Sequence, residues 1–177
     1  MTRRFPPFPH DAPPPAAHPP VDAVVALGAN LGDRGATIAA AVEELGQLPL
    51  VDAVRAAPAI ESVAVKREGP DAAAPAYLNT VAIVTTRLAP SVLLSYLRAI
   101  ENRHGRERHE RWGDRTLDLD LITYGDVRTH DPVLTLPHPR AAERTFVLGP
   151  WLALDPDAEI PGAGRVDALL HELEGRP

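Results

Sequence analysis

Residues 105–125 read GRERHERWGDRTLDLDLITYG, an arginine-rich run that passes directly into an alternation of leucine and aspartate. The second half decides the fold. In Leu117–Tyr124 (LDLDLITY) an apolar side chain recurs at every second residue, the period of a β-strand with one buried face. Leu117, Leu119 and Leu121 then face a core, while Asp118 and Asp120 project together from the other face.

Working outward, Pro90 sits in the first turn of a helix that ends near Gly105, with Val92, Leu93, Leu97 and Ile100 as its apolar face. Before it, Tyr77–Arg87 (YLNTVAIVTTR) is rich in β-branched residues and reads as a strand. Ala23–Gly28 (AVVALG) reads as a buried strand, and Asp33 caps a helix to about Leu45 with Ile38, Val42 and Leu45 at helical spacing. Residues 50–60 are apolar enough for another strand. Residues 61–76 (ESVAVKREGPDAAAPA) carry Gly and two Pro and read as a loop, as do residues 130–140 with three Pro. Arg144–Leu154 and Val166–Leu173 read as helices. The order β-α-β-β-α-β with a helical tail predicts an α+β, ferredoxin-like α/β/α sandwich with a mainly antiparallel sheet and C-terminal helices.

The length of 177 residues suits one domain. Residues 1–20 hold eight of the 20 prolines and no continuous apolar segment of the secretory kind, so a disordered Pro-rich tail is expected there and a folded domain over 21–177. With no Cys, disulfides, thiolate metal sites and a Cys nucleophile are excluded. A net charge of −6 disfavours wholesale nucleic-acid binding, and no apolar stretch approaches the length of a bilayer span. Of 18 basic residues 17 are Arg; the single Lys66 precedes Arg67, so no GxxxxGK[ST] phosphate loop exists.

Carboxylates two apart on a strand lie about 6–7 Å from each other at Cα and can converge on divalent ions, with hard oxygen donors favouring Mg²⁺. A bare DxD pair is more commonly the solvated outer face of an edge strand. Here Arg103, Arg106, Arg108, Arg111 and Arg115 lie within fifteen residues before Asp118. Guanidinium groups clamp phosphate oxygens, although Glu101, Glu107, Glu110 and Asp114 nearly balance them and also suit a salt-bridged, solvated segment. Gly105, Trp112 and Gly113 suit a glycine-hinged loop that closes over a ligand. Arginines beside carboxylate-held Mg²⁺ are the parts of phosphoryl-type transfer. His138 stands between Pro137 and Pro139, where it can donate to a phosphate or simply occupy a rigid turn. Gly28–Asp33 (GANLGD) is a glycine-bearing turn without GxGxxG spacing, and Asn79 offers a donor and an acceptor at the start of a strand.

Four segments, GANLGDR (28–34), YLNTV (77–81), GRERHERWGDRTLDLDLITYG (105–125) and LTLPHPRAAERTFVL (134–148), resemble the 6-hydroxymethyl-7,8-dihydropterin pyrophosphokinase family of folate biosynthesis, in its order and at its spacings. The resemblance covers about residues 22–165. It implies a ferredoxin-like fold and transfer of pyrophosphate from ATP to the pterin hydroxymethyl oxygen, with release of AMP. By resemblance, Asp118 and Asp120 hold two Mg²⁺ ions, and Arg106 and Arg115 are the catalytic arginines. Glu101, Arg108, Arg115, His138 and Arg144 match the ATP site. Gly28, Tyr77, Asn79, Trp112 and Phe146 match the pterin site, with Trp112 and Phe146 on the ring faces and Asn79 on its edge.

Two departures from the family pattern stand out. Ala29 replaces the usual Ser, and Glu61–Val65 (ESVAV) has no Pro where the family has a Glu-Thr-x-Pro type segment beside the pterin. A nucleotidyltransferase with a glycine turn and a nearby DxD is disfavoured, because Gly28 and Asp118 are 90 positions apart. An RNA-recognition sheet is disfavoured by only 5% aromatic residues. A catalytically dead homologue is disfavoured because every acidic and arginine position of the pattern is present. The partners expected are small molecules alone, with no nucleic acid and no membrane, in a monomer. The missing export signal and the use of ATP place it in the cytoplasm.

Overall fold

The computed structural model describes residues 19–62, 64–66, 69–71, 76–105 and 116–175, with the backbone alone at 64–66 and 69–71. The Pro-rich stretch read as a tail therefore lies, up to residue 18, outside the described residues. The chain enters β1 (Val21–Ala29), turns, and forms α1 (Arg34–Gly46). The Asp33 carboxylate accepts from the Ala36 N–H at 3.0 Å, satisfying a donor that a helix start leaves open. Then come β2 (Val51–Ala56), β3 (Ile60–Ser62), the hairpin of β4 (Ala64–Lys66) and β5 (Gly69–Asp71), and β6 (Tyr77–Thr86). Next are α2 (Pro90–Arg103), β7 (Asp118–Tyr124) and the hairpin of β8 (Thr129–His130) and β9 (Thr135–Leu136). A 3-10 turn at Ala141–Glu143 leads to α3 (Thr145–Leu154), the hairpin of β10 (Glu159–Ile160) and β11 (Gly164–Arg165), and α4 (Val166–Glu174).

The main sheet has the order β2-β6-β1-β7 and is antiparallel throughout. With connections β1-α1-β2-β6-α2-β7 this is the expected ferredoxin-like arrangement. β2 and β3 share the outer side of β6: β3 pairs with Tyr77–Asn79 and β2 with Ala82–Thr86. The central strands are covered on both faces, which explains their unbroken apolar runs. On one face α1 and α2 bring Leu45, Leu93, Leu97 and Ile100 onto Val25, Leu27, Val84, Leu119 and Leu121. On the other, α3 and α4 bring Val147, Leu148, Trp151 and Val166 onto Val24, Val81, Ile83 and Ile122. Each fully buried leucine contributes about 1.5–3 kcal/mol over its exposed state. Among the described residues no helix is long and apolar enough to cross a membrane.

The structure differs from the sequence reading in four places. The strand expected over 50–60 is divided into β2 and β3 by Ala57–Pro58–Ala59. The region read as a loop over 61–76 contains the end of β3 and the β4–β5 hairpin. Pro70 is accommodated because a two-stranded ribbon is all edge, where a proline removes no central ladder bond. The Pro-rich stretch 130–140 likewise contains β9, paired to β8. Val92, expected on the apolar face of α2, is exposed, whereas Leu93, Leu97 and Ile100 are buried.

Candidate active site

β7 shows why the alternation of leucine and aspartate stops where it does. Leu119 and Leu121 lie under α1 and α2. On the opposite face Ile122 is covered by α3 and α4, but α3 begins only at Thr145, and the residue before it, Arg144, lies against Asp120. The same face of β7 is thus apolar under the helices and acidic beyond them.

Sheet register assembles the rest. Ile60 pairs with Asn79, Asn79 with Gly28, and Gly28 with Asp118, so one cross-strand row carries an amide, a bare glycine and a carboxylate. Neighbouring strands are about 4.8 Å apart, which puts Asn79 and Asp118 about 10 Å apart at the backbone. Tyr77 and Asp120 stand two residues from Asn79 and Asp118, on the same face. Gly28 keeps the floor between them open: a Cβ there would sit 3.0 Å from Asn79 Oδ1 and 3.8 Å from the Tyr77 ring.

The neutral end of the row is held by hydrogen bonds. Asn79 is buried, and its Nδ2 donates to Ser62 Oγ at 2.7 Å. Ser62 lies opposite Tyr77 in the β3–β6 register. Arg34, at the start of α1, donates to the Ala76 carbonyl at 2.7 Å and to Glu61 Oε1 at 2.9 Å, tying down both sides of the segment between them.

The charged end is held by ion pairs. Arg144 Nη1 meets Asp120 Oδ2 at 2.8 Å, and the Arg144 guanidinium lies 5.8 Å from the centre of the Phe146 ring. His138 is strapped to β7 by its N–H, which donates to the Ile122 carbonyl at 2.8 Å. Its Nδ1 accepts from the Arg140 N–H at 3.2 Å, so Nε2 carries the ring hydrogen and faces Asp120 Oδ2 at 3.8 Å. Burial holds the His138 imidazole below its ordinary range, against the opposing pull of Asp120, and keeps it a neutral Nε2–H donor at pH 7. Glu101 is only 2% exposed, and its Oε1 accepts the Leu119 N–H at 2.9 Å, between the two aspartates in sequence. At the end of α2, Glu44 of α1 receives Arg103 and, at 2.6 Å, His104 Nε2, anchoring the helix where the arginine-rich segment departs.

Of the residues singled out from sequence, Gly28, Tyr77, Asn79, Glu101, Asp118, Asp120, His138, Arg144 and Phe146 fall on the strand ends of this one region or on the elements bordering them. Arg106, Arg108, Trp112 and Arg115 lie outside the described residues. Arg34 and Ser62 were given no role from sequence; the signal for Ser62 was its place beside Glu61 in the departing segment, and for Arg34 its place at the end of the GANLGDR segment. The donor set at Asp118 and Asp120 suits Mg²⁺, which is commonly held by one or two carboxylates and completes its shell with water and substrate phosphate oxygens.

The profile of the 7,8-dihydro-6-hydroxymethylpterin-pyrophosphokinase family matches residues 24–156. A relative from Mycobacterium leprae named 2-amino-4-hydroxy-6-hydroxymethyldihydropteridine pyrophosphokinase is 43% identical over 169 residues, covering 85% of this chain and 82% of its own. Relatives of the same name from Synechocystis sp. and Pseudomonas aeruginosa are 39% and 40% identical, covering 85% and 82% of this chain and 74% and 88% of their own. Among solved structures, Plasmodium falciparum HPPK-DHPS wild type with pteroate superposes with a TM-score of 0.66 at 12% identity over 86% of this chain. That likeness concerns the fold, and this chain spans 44% of the length of that one. Matched in this way over most of its length, the chain belongs to the 7,8-dihydro-6-hydroxymethylpterin-pyrophosphokinase family, and its reaction is pyrophosphoryl transfer from ATP to hydroxymethyldihydropterin in folate synthesis.

Proposed function

We propose that the cross-strand row divides the work of this reaction, with the pterin at its Asn79 end and the triphosphate at its aspartate end. The single observation that carries this reading is the register Asn79–Gly28–Asp118, which sets a buried amide and an acidic pair on one face with an open glycine between. A flat heteroaromatic ring needs aromatic faces and a few polar groups at its edge. Tyr77 borders that end, Asn79 reads the edge, and Phe146, which lies beside Arg144, and Trp112 supply the ring faces by the family resemblance. A nucleotide triphosphate needs cationic and hydrogen-bonding donors, which Arg144, the neutral His138 Nε2–H, Arg106, Arg108 and Arg115 provide.

In the reaction the hydroxymethyl oxygen bonds to the β-phosphorus of ATP, the bond from that phosphorus to the α-phosphate oxygen breaks, and AMP leaves. Asp118 and Asp120 would hold two Mg²⁺ ions, which when bound neutralise phosphate charge and acidify the hydroxyl. Glu101 acts by fixing the backbone between the two aspartates, and Arg106 and Arg115 stabilise charge on the transferred group. We further infer a catalytic unit over residues 21–177, with residues 1–20 as a tail. It works as a monomer, since its own helices cover both sheet faces, and in the cytoplasm, where ATP is available.

The test is a product assay with ATP, Mg²⁺ and 6-hydroxymethyl-7,8-dihydropterin. AMP formed one-for-one with the pterin diphosphate is the expected outcome. The division of work is checked by substitution at each end: changes at Asn79 or Phe146 should act on the pterin KM, and changes at Arg144 or His138 on the ATP KM. Effects that do not separate in this way overturn it.

A further inference from the structure

Asn79 is buried, and a side-chain amide can present its oxygen or its nitrogen in either direction, so a site that uses it to read a ring edge needs something to hold it. Among the described residues the one hydrogen-bond partner of the amide is Ser62, whose Oγ accepts from Nδ2 at 2.7 Å. The contact is diagonal across the β3–β6 pair: Ile60 lies opposite Asn79, Ser62 opposite Tyr77, and all four share one face. The amide oxygen then points to the Gly28 side, where a Cβ would lie 3.0 Å from it. Oδ1 is left as an acceptor beside the open floor, and one amide N–H remains beyond the bond to Ser62.

Ser62 itself is held in register. Glu61 beside it pairs with Arg34 at 2.9 Å, and the same guanidinium holds the Ala76 carbonyl at 2.7 Å, just before Tyr77. Three residues of β3 would otherwise be a weak ladder.

We infer that Ser62 is a positioning residue: its hydroxyl, bonded to Nδ2, holds the Asn79 amide group in the plane that sets Oδ1 beside Gly28 for the pterin edge. The inference rests on the reading of Asn79 as a pterin contact. A small hydroxyl residue is required because the oxygen must reach Nδ2 across the diagonal of a closely paired strand. A methyl group there would leave a buried N–H without its partner.

The test compares Ser62→Thr with Ser62→Val in the full chain. The two side chains have nearly the same shape, and both favour strands, so they differ in the hydroxyl alone. Kinetics are run in the wild-type and Asn79→Ala backgrounds, with thermal midpoints recorded for all. Ser62→Thr should behave as wild type. Ser62→Val should raise the pterin KM roughly three- to tenfold, the size of one neutral hydrogen bond, with kcat and the ATP KM unchanged. In the Asn79→Ala background the Thr and Val forms should be indistinguishable. Equal pterin KM for Thr and Val in the wild-type background overturns the role of Ser62, as does the same Val penalty in both backgrounds. If Asn79→Ala itself leaves the pterin KM unchanged, the reading of Asn79 fails, and the positioning role fails with it. If Asn79→Ala does not fold, the Thr and Val forms in the wild-type background still decide the role of Ser62.

Discussion

The two ends of the active-site row are built by different means. At the neutral end, Asn79, Ser62, Tyr77 and Gly28 are placed by the ladders of β3, β6 and β1, and the decisive contact is one hydrogen bond between uncharged groups. At the charged end, Asp120, Arg144 and His138 come from a strand and a following turn; an ion pair joins Asp120 to Arg144, and the neutral His138 ring faces the same carboxylate. A ladder fixes geometry to the precision of the backbone, which suits recognition of a rigid ring. Ion pairs can exchange one partner for another, which suits a flexible polyanion whose charge moves during the reaction.

The largest way to break this contrast is at the charged end. Asp118→Ala or Asp120→Ala should lower turnover by at least about 10³-fold. The thermal midpoint should move little, because both side chains are only half-buried. Near-normal turnover in both variants would remove them from the chemistry.

Next is the glycine between the ends. Gly28→Ala adds a Cβ 3.0 Å from the Asn79 oxygen, and the amide, held by Ser62, has little room to yield. The pterin KM should rise on the order of tenfold while the ATP KM stays within about twofold, since misplacement of a contact group is felt strongly at the site it serves. Parallel changes in both constants would mean the two ends are not separable.

A smaller effect lies at the clasp where α2 ends. The Arg103 guanidinium holds the Glu44 carboxyl below its ordinary value of 4.5, with burial opposing and His104 assisting. A folded-state pKa that is depressed contributes stability above the ordinary carboxylate range and loses it as pH falls through the depressed value. Glu44→Gln should therefore lower the thermal midpoint at pH 7, and the gap to wild type should narrow as pH falls below 4.5 toward the depressed value. A gap that does not narrow at any acid pH at which the protein stays folded would show that the carboxylate charge is not what the clasp uses.

The smallest expected effect is a gain. Leu50 has φ of 60° in the turn before β2 and is 56% exposed, so it carries backbone strain with little burial in return. Leu50→Gly should stabilise by about 1 kcal/mol, a rise of about 2–4 °C in Tm for a domain of this size, with kinetics unchanged at both ends of the row. A fall in Tm would mean the leucine packs better than its exposure implies.

Much of this architecture was legible in the sequence because its signals are local. The period-2 alternation of 117–121 gave away the faces of the first half of β7, but not that of Tyr124, which an irregularity in the pairing at Val24/Val25 turns to the leucine side; Asp33, Pro90 and the apolar spacing of 93–100 marked two helices. The pairing of β1 with β6, and with it the meeting of Gly28 and Asn79, follows from register between segments fifty residues apart, which no local pattern states. The same holds for Arg34 and Ser62. A serine after a glutamate in a segment with glycine and prolines reads as loop, and only the strand beside it turns its hydroxyl into a contact. Val92 failed for a different reason: it stands next to Leu93 on a helix whose buried stripe is narrow.

β1 is paired along Val21–Ala29 to β6 and over Ala23–Gly28 to β7, and the helices close over both of its faces as far as Leu27. Its backbone amides can exchange with solvent deuterons only when much of the domain opens, because freeing one means parting two ladders and two packed layers together. Gly28, the least substituted point of the site, sits at the end of this doubly paired strand, so its amide should be among the slowly exchanging ones of the described residues, and the gap it leaves between the two substrates should persist as long as the sheet stays paired.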